Sequence, residues 1–267
     1  MTTDTKVWLI GGTSDSVAIA KILVVNNISF VVSIATQAAI DLYGDGTKVK
    51  IGCMEREAMQ CFCQQEKIKT VIDASHPYAV EVSSNAIALT SQLNIPYLRY
   101  ERSSCSKTNS ISNNSLVTEL ESFETLLSGD YLKEQNVLLT VGCKALPRFI
   151  AWQGRATLYA RVLPKLESLT IAKNAGFKSD RLIAIRPPLG FALEKALWQQ
   201  WNISLVITKA SGKAGGEDIK RQVAAELNIP LIIITRPKIV YPQQTSDIEE
   251  ILAFSENCTG EPPFAPY

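Results

Sequence analysis

Short apolar segments alternate with helical patterns along most of this chain, and that alternation is what most constrains its fold. Over residues 79–93, apolar side chains recur at spacings of three and four, which predicts a helix with one buried face. Helices between consecutive strands are typical of parallel sheets covered on both faces. The first hundred residues therefore predict a doubly wound α/β sheet. Its predicted strands are residues 7–10, 30–34, 49–51, 70–72 and 97–100.

A second alternating set follows and looks like an internal repeat of the first. Leu93-Asn94-Ile95-Pro96 recurs as Leu227-Asn228-Ile229-Pro230, each before a predicted strand. The same offset relates residues 73–77 to residues 207–211. The repeat predicts two α/β domains of similar size, with a cleft between their strand-end turns. The second set comprises predicted strands 137–141, 157–163, 182–185, 204–208 and 231–235 and predicted helices 165–175, 191–201 and 218–227.

These patterns predict where the domains begin and end. We expect an N-terminal domain over residues 1–130, a C-terminal domain over residues 131–240 and a tail over residues 241–267. The tail is proline-rich and predicted to be mostly irregular, with one helix at residues 247–254. Residues 103–115 are rich in Ser and Asn without periodicity, which predicts an exposed loop.

The charges of the chain nearly balance. There are 27 Lys and Arg against 26 Asp and Glu, so no long-range field attracts nucleic acid or an anionic membrane. No apolar run approaches the roughly 18 residues of a membrane span, no signal-peptide core is evident, and the six cysteines lack metal-finger spacing. We expect a cytoplasmic protein without nucleic-acid or membrane partners, and either a monomer or a homodimer.

The first predicted strand ends in Gly11-Gly12-Thr13-Ser14-Asp15-Ser16. Glycines let the backbone approach a phosphate, and the next helix offers N–H groups and a partial positive charge at its N-terminus. Thr13, Ser14 and Ser16 add hydroxyl donors. Because the G-x-G-x-x-G spacing is missing, the motif predicts either a dinucleotide phosphate site or an ordinary capped turn.

The second predicted strand ends in Ser33-Ile34-Ala35-Thr36-Gln37, where dinucleotide-binding folds contact the ribose of the cofactor. An acidic residue there favours NAD, and a basic residue favours the 2′-phosphate of NADP. Neither is present, so Ser33 and Thr36 are the candidate contacts. The residues alone leave the choice of cofactor open.

The strand at residues 70–72 runs into Asp73-Ala74-Ser75-His76-Pro77-Tyr78-Ala79, which contains the single histidine of the chain. Open α/β sheets bind ligands at the carboxyl ends of their strands. His76 is thus a candidate proton donor, with a purely structural histidine as the alternative. A metal site is not expected, because no second histidine or cysteine pair completes a coordination shell.

The corresponding turn of the second repeat is Thr208-Lys209-Ala210-Ser211-Gly212. A lysine at a strand end can hold a phosphate or carboxylate, and the glycines at 212, 215 and 216 let the chain approach such a group. The alternative is a solvated lysine on a flexible loop. Further candidate anion contacts, each also compatible with an ordinary surface cation, are Lys144, Arg161 and Arg186.

Several motifs together resemble the precorrin-6A reductase family of cobalamin biosynthesis. The resemblance covers about residues 6–240. The most specific part is the combination of the Asp-Ala-Ser-His-Pro turn with the later Thr-Lys-x-Ser-Gly turn. The motifs are Val7-Trp8-Leu9-Ile10-Gly11-Gly12-Thr13, residues 73–79, Arg99-Tyr100-Glu101-Arg102, Thr140-Val141-Gly142, residues 208–212 and Arg236-Pro237.

The resemblance implies two Rossmann-like domains and reduction of precorrin-6A, or its cobalt-containing counterpart, with NADPH as hydride donor. It implies a second set of contacts, to the nicotinamide and the macrocycle, from Lys209, Ser211 and Gly212. The proton donor is left open among His76, Tyr78, Lys209 and water. The implied cofactor contacts are Gly11, Gly12, Thr13, Asp73, Ser75, His76 and Pro77, to which the strand-end reasoning adds Ser14, Ser33 and Thr36.

Two segments depart from the family pattern. Thr36-Gln37 stands where members often have Gly-Arg, and residues 186–191 differ from the expected Gly-Pro-Phe run. Two other functions stay open at this point. One is a dinucleotide-binding sensor without turnover. The other is a reductase of a small carbonyl compound, although the Tyr-x-x-x-Lys pair common in such enzymes is missing at Tyr78 and Tyr159. A hydrolase is not expected, because no G-x-S-x-G elbow is present.

Overall fold

A computed structural model describes residues 6–44, 46–102 and 116–257. These residues form two compact units: unit 1 contains residues 6–102 and 238–257, and unit 2 contains residues 116–237. The sequence predicts that the first domain ends at residue 130 and that residues 241–267 lie outside both domains. The units divide differently because residues 117–120 pair within the second sheet and residues 244–245 pair within the first. The loop predicted at residues 103–115 lies outside the described residues.

The described residues contain twelve β-strands, numbered in chain order. They are β1 (Lys6–Ile10), β2 (Phe30–Ile34), β3 (Val49–Ile51), β4 (Ile68–Asp73), β5 (Tyr97–Tyr100), β6 (Val117–Leu120), β7 (Asn136–Thr140), β8 (Thr157–Val162), β9 (Leu182–Ala184), β10 (Leu205–Lys209), β11 (Leu231–Ile234) and β12 (Gln244–Thr245).

The same residues contain eight α-helices. They are α1 (Ser14–Val25), α2 (Arg56–Gln65), α3 (Val80–Leu93), α4 (Phe123–Ser128), α5 (Leu166–Asn174), α6 (Phe191–Gln200), α7 (Glu217–Leu227) and α8 (Ile248–Asn257). Short 3₁₀ helices occupy Gln37–Leu42, Cys143–Trp152, Ser179–Arg181 and Lys213–Gly215. Within the described ranges, no helix has the length and apolar character needed to cross a membrane.

Each unit is built on one parallel sheet of six strands. The order is β3-β2-β1-β4-β5-β12 in unit 1 and β9-β8-β7-β10-β11-β6 in unit 2. The strand order reverses between β1 and β4 in the first sheet and between β7 and β10 in the second sheet. This is the order of Rossmann-like folds, which bind ligands at that reversal. The predicted α/β class with two Rossmann-like units is therefore confirmed.

The repeated Leu-Asn-Ile-Pro motif ends a helix at the same place in both units. α3 and α7 are followed by Asn94 and Asn228, which have left-handed φ values of 52° and 54°. Asparagine adopts this conformation more readily than most residues with a side chain, and it commonly ends helices. The motif therefore encodes the same turn from a helix into the next strand.

β1 shows why the central strands have continuous apolar sequences. Val7 and Leu9 pack into one apolar cluster, and Trp8 and Ile10 pack into the cluster on the opposite face. Side chains alternate between the two faces of a strand, and helices cover both faces of this sheet. Polar residues of these central strands are thus largely restricted to the strand ends, where the candidate site lies.

The sixth strand of each sheet was not predicted. β6 carries two exposed polar residues, Thr118 and Glu119, and β12 has only two residues. Edge strands bury less surface than central strands, so they lack the apolar run by which the other strands were found. The helix predicted near the C-terminus is present as α8, and its Ile251 is fully buried in unit 1.

Candidate functional site

The strand reversal of unit 1 lies between the turns that follow β1 and β4. The Thr13 hydroxyl in the first turn donates to the carbonyl of Ala74 in the second turn at 2.8 Å. The Ala74 N–H donates to the Ile10 carbonyl at 3.0 Å. The two predicted turns are therefore in direct contact, at the place where such sheets bind ligands.

Both glycines of the first turn have a local structural reason. A Cβ on Gly11 would overlap the Tyr43 hydroxyl and lie 2.9 Å from Val32 Cγ1. Gly12 has a φ of +99°, which favours glycine. Thr13 then caps α1: its Oγ1 accepts the Ser16 N–H at 3.1 Å, and Ser16 Oγ accepts the Thr13 N–H at 3.0 Å. The chain can thus pass directly from β1 into α1.

Tyr43 also contacts this turn, although no sequence motif points to it. Its hydroxyl accepts the Gly12 N–H at 2.7 Å and lies 2.6 Å from Ser16 Oγ. These polar groups are therefore already satisfied within the protein. The N–H groups of Ser14 and Asp15 lie in the first turn of α1, where no intrahelical acceptor exists. No local pattern links Tyr43 to this turn, because their contacts span 27 to 31 positions.

Arg102 adds a cation at the start of α1. Its Nη2 donates to Ser14 Oγ at 3.0 Å and lies 2.5 Å from Asp15 Oδ1. The arginine follows β5, and its side chain is 42% exposed. It therefore brings positive charge to the N-terminus of α1, where the sequence predicts a phosphate site.

The two ribose candidates differ in position. Ser33 is buried, and its hydroxyl accepts the Trp8 Nε1–H at 2.8 Å inside the core. Its predicted role as a cofactor contact does not fit this position, because the Ser33 side chain faces the core of unit 1. Thr36 is exposed just before the 3₁₀ helix Gln37–Leu42, and its role stays a prediction.

Asp73 is an internal anchor of the second turn. Its Oδ1 accepts the Ser75 N–H and Arg99 Nη1–H, both at 2.9 Å, and its Oδ2 accepts the Ser83 and Tyr97 hydroxyls, both at 2.6 Å. Burial and the charge of Asp73 raise the pKa of Tyr97, so the phenol stays protonated as a donor. A fully buried carboxylate with four donors does not fit the predicted direct contact with a cofactor.

Arg99 extends this anchor and was not among the predicted site residues. Its Nη1 also donates to Ser75 Oγ at 3.0 Å, and its Nε donates to Glu101 at 3.2 Å. The guanidinium lies 5.3 Å from the ring centroid of Tyr241. Ser75 is thus held in the interior, and its predicted cofactor contact does not fit its burial.

His76 and Pro77 are the accessible part of the same turn. His76 is exposed, Pro77 is half-buried, and the Tyr78 N–H donates to His76 Nδ1 at 3.2 Å. Because Nδ1 accepts this bond, the ring can carry its proton on Nε2. Across the part of the chain described here, no group of three or more His, Cys, Asp or Glu side chains is placed to hold a metal ion.

The strand reversal of unit 2 brings two cations to one aromatic ring. Lys209 Nζ and Arg148 Cζ lie 5.8 and 5.6 Å from the ring centroid of Phe123. Arg148 also forms an ion pair with Glu124 at the surface. Burial, and next the positive charge of Arg148, lower the pKa of Lys209. Arg148 is a candidate anion contact that sequence spacing did not reveal, because it lies in the 3₁₀ helix Cys143–Trp152 rather than at a strand end.

The other predicted cations do not all lie at the surface. Lys144 and Arg186 are exposed, and their anion-binding roles stay predictions. Arg161 is buried, and its Nη1 pairs with Glu194 at 2.5 Å. Glu194 also accepts the Trp198 Nε1–H at 3.1 Å. Arg161 is therefore part of the core of unit 2, and its predicted substrate contact does not fit that position.

The turn after β10 continues into residues 211–216, which we call the glycine loop. Gly212 and Gly216 have positive φ values of 63° and 68°. A Cβ on Gly215 would overlap the side chain of Ser211. The Gly212 N–H donates to Glu217 at 2.9 Å, so this predicted substrate contact uses its amide internally. Ser211 is half-buried beside it.

Comparison with known proteins identifies the family. A family model described as precorrin-6x reductase CbiJ/CobK matches residues 6–256. A cobalt-precorrin-6A reductase of Synechocystis sp. is 40% identical over 255 residues, covering 94% of this chain and 95% of that protein. One from Priestia megaterium is 34% identical over 250 residues, covering 92% and 96%.

A solved structure supports the fold independently. A CobK precorrin-6A reductase superposes with a TM-score of 0.74 over 95% of this chain and 97% of that chain, at 21% identity. At that identity the superposition supports the architecture only. Together with the match of the family model over nearly the whole described chain, it leads to one assignment. The chain belongs to the precorrin-6x reductase family and is an oxidoreductase.

Proposed function

We propose that this protein is a cytoplasmic enzyme that reduces cobalt-precorrin-6A with NADPH during cobalamin biosynthesis. The observation that carries the proposal is the 40% identity to a cobalt-precorrin-6A reductase over almost the full length of both chains. The substrate is a small molecule, and neither nucleic acid nor a membrane takes part. Metal-free precorrin-6A is the alternative substrate, because the family model covers precorrin-6x reductases without specifying cobalt.

The turn after β1 fits the pyrophosphate of a dinucleotide. Gly12 has a positive φ and no atom within 4 Å of an added Cβ, so the turn is open to close approach on that side, and α1 begins immediately after the turn. The N–H groups of Ser14 and Asp15 and the guanidinium of Arg102 supply positive charge there. A bound nicotinamide cofactor would supply the hydride, and these groups would hold its phosphates.

The end of β2 lacks the carboxylate that favours NADH. A carboxylate at this position binds the free 2′-hydroxyl of NADH and repels a 2′-phosphate. Residues 33–37 contain no carboxylate, and Thr36 and Gln37 are exposed there. We therefore assign the phosphate contact to Thr36 and Gln37, and we expect a lower KM for NADPH than for NADH.

The cations of unit 2 suit a ring with several carboxylates. Lys209 and Arg148 approach the same ring of Phe123, and Lys144 and Arg186 are exposed in the same unit. An anion between Lys209 and Arg148 would offset the repulsion between these two cations, which adds to the effect of burial in lowering the pKa of Lys209. We therefore assign a peripheral carboxylate of the substrate to this pair of cations.

The proton that follows hydride transfer is assigned to Lys209 or His76. The ideal pKa of a general acid lies near the working pH, and burial moves the pKa of Lys209 in that direction. His76 is exposed and can carry a proton on Nε2. Replacing the true donor lowers kcat about 100-fold or more, so Lys209→Met and His76→Ala identify it. A variant that retains normal kcat excludes that residue.

The test uses the purified protein, NADPH and cobalt-precorrin-6A, with nicotinamide absorbance as the readout. Oxidation of NADPH only when the tetrapyrrole is present is the expected result. Binding of NADPH without oxidation under these conditions would indicate a sensor and contradict the proposal. Running metal-free precorrin-6A beside the cobalt form measures which is preferred by kcat/KM.

A further inference from the structure

The glycine loop has a conformation that its own residues restrict strongly. Gly212 and Gly216 have positive φ values, and Gly215 lies against Ser211 without room for a Cβ. Two backbone hydrogen bonds close the loop. The Gly215 N–H donates to the Gly212 carbonyl at 3.1 Å, and the Gly216 N–H donates to the Lys213 carbonyl at 2.9 Å. Such a loop presents the side chain of Ser211 in one defined place.

Two buried charges from the first turn of α7 hold this loop from the inside. Lys220 is 2% exposed, and its ammonium donates to the carbonyls of Gly215 at 2.7 Å and Gly216 at 3.1 Å. Glu217 is 3% exposed and accepts the Gly212 N–H at 2.9 Å. The lysine thus binds carbonyls at one end of the loop, and the glutamate binds an amide at the other end.

The surroundings of Lys220 make its charge costly, which calls for a compensating role. A buried ammonium loses its hydration, and positively charged Arg161 is close enough to disfavour it further. Glu194, Glu217 and Asp218 offset part of that cost. An apolar side chain of similar length would pack in the same space without these penalties. The ammonium contributes what such a side chain cannot, namely two charge-assisted bonds to the loop backbone.

We propose that Lys220 is a positioning residue, which fixes the glycine loop so that Ser211 meets a carboxylate of the tetrapyrrole substrate. This inference rests on the function proposed above. The Lys220 side chain is buried beneath the loop and binds the backbone carbonyls of Gly215 and Gly216. Its loss therefore weakens recognition of the tetrapyrrole, while the dinucleotide contacts proposed in unit 1 are unaffected.

The test compares wild-type protein with Lys220→Met, which keeps the length of the side chain and removes the donors. Leu132→Ala is the matched control, because Leu132 is fully buried in the same unit, in an apolar cluster that includes no residue of the loop. We expect Lys220→Met to raise KM for the tetrapyrrole about 10-fold, the scale of a lost bond to a charged group. KM for NADPH stays at the wild-type value. Lys220→Arg, which restores donors, recovers part of the loss.

A second readout does not depend on turnover. Hydrogen exchange of the amides at residues 212, 215 and 216 is expected to accelerate in Lys220→Met and to stay near the wild-type rate in Leu132→Ala. If Lys220→Met lowers only the active fraction, with both KM values and these exchange rates unchanged, the positioning role is overturned. If wild-type protein fails to oxidise NADPH with the tetrapyrrole, the proposed function fails, and the exchange comparison still decides whether Lys220 holds the loop.

Discussion

At the scale of single residues, the ion pair of Asp73 and Arg99 is the most heavily buried charge interaction of unit 1. Neither side chain is more than 1% exposed. Removing one partner of a buried pair leaves an uncompensated charge and costs about 3–5 kcal/mol. We therefore expect Arg99→Met to lower the free energy of unfolding by about that amount, as measured by urea denaturation.

A surface pair provides the control for this prediction. Lys195 and Glu226 lie 2.6 Å apart with side chains 31% and 47% exposed. Breaking such a pair costs about 0–1 kcal/mol, because water screens the charges. Similar losses in Lys195→Ala and Arg99→Met would contradict the structural role assigned to the buried pair.

Lys220 makes stability depend on pH. Burial, and next Arg161, lower the pKa of Lys220 from its usual 10.5 to about 8, while Glu194, Glu217 and Asp218 act in the opposite direction. Between these two pH values the unfolded chain holds a proton that the folded protein has released. The contribution of Lys220 to stability therefore increases as pH rises from about 8 towards 10.5.

Lys220→Met tests this dependence, since it removes the titrating group. The comparison is the change in the urea midpoint between pH 8 and pH 10 in wild-type and variant protein. Relative to the variant, we expect the wild-type urea midpoint to gain an additional increase between pH 8 and pH 10, because only the wild type has Lys220. An equal change in both proteins would show that other groups are responsible.

The predicted contacts that do not fit the burial of their side chains share a physical cause. Arg161 has the same local sequence appearance as a strand-end cation, but its partner Glu194 is 33 positions away on another element. The partner of Ser33, Trp8, is 25 positions away. Burial and pairing depend on such distant contacts, so local spacing predicts the turns without predicting which of their side chains face outward.

At the scale of elements, the turn from β1 into α1 allows a sharp test at Gly11. A Cβ there lies too close to Tyr43 and Val32, and relieving such overlap costs about 1–3 kcal/mol. We expect Gly11→Ala to be destabilised by that amount and to bind NADPH more weakly, because the overlap shifts the turn proposed to contact the pyrophosphate. Thermal unfolding and fluorescence titration with NADPH measure the two effects.

Gly190→Ala is the control for this substitution. Gly190 precedes α6, has no atom within 4 Å of an added Cβ, and has a φ of −69°. We expect a change within about 0.5 kcal/mol and unaltered NADPH binding. A loss at Gly190 as large as that at Gly11 would argue against steric crowding as the cause.

The central elements of both sheets were predictable because each carries a strong local signal. β1, β4, β7, β10 and β11 are buried apolar runs, and α3 and α7 end in the same asparagine turn. β6 and β12 carry no comparable signal. Their positions depend on pairing with β11 and β5, which only the folded chain shows.

At the scale of the whole molecule, the two units differ in continuity. The described part of unit 2 is one uninterrupted segment, whereas unit 1 also needs residues 238–257, which supply β12 and α8. α8 packs against α1 and β5, and its Ile251 is fully buried. We expect a fragment of residues 103–237 to fold cooperatively on its own, and a fragment of residues 1–102 to fail.

Joining residues 1–102 to residues 238–267 through a flexible linker provides the matched control, since it restores the missing elements. Urea unfolding followed by circular dichroism distinguishes the three fragments. A cooperative transition in the isolated 1–102 fragment would contradict the role assigned to β12 and α8.

The return of the chain to its first sheet also bears on the order of folding during synthesis. All strands of the second sheet have been translated once residue 234 has been added, whereas the first sheet still lacks β12 at that moment. On the ribosome, the unit that begins later can therefore be completed earlier. Until translation reaches α8, the nascent protein exposes the apolar surface that Ile251 later covers, and exposed surface of this kind makes incomplete chains prone to aggregation.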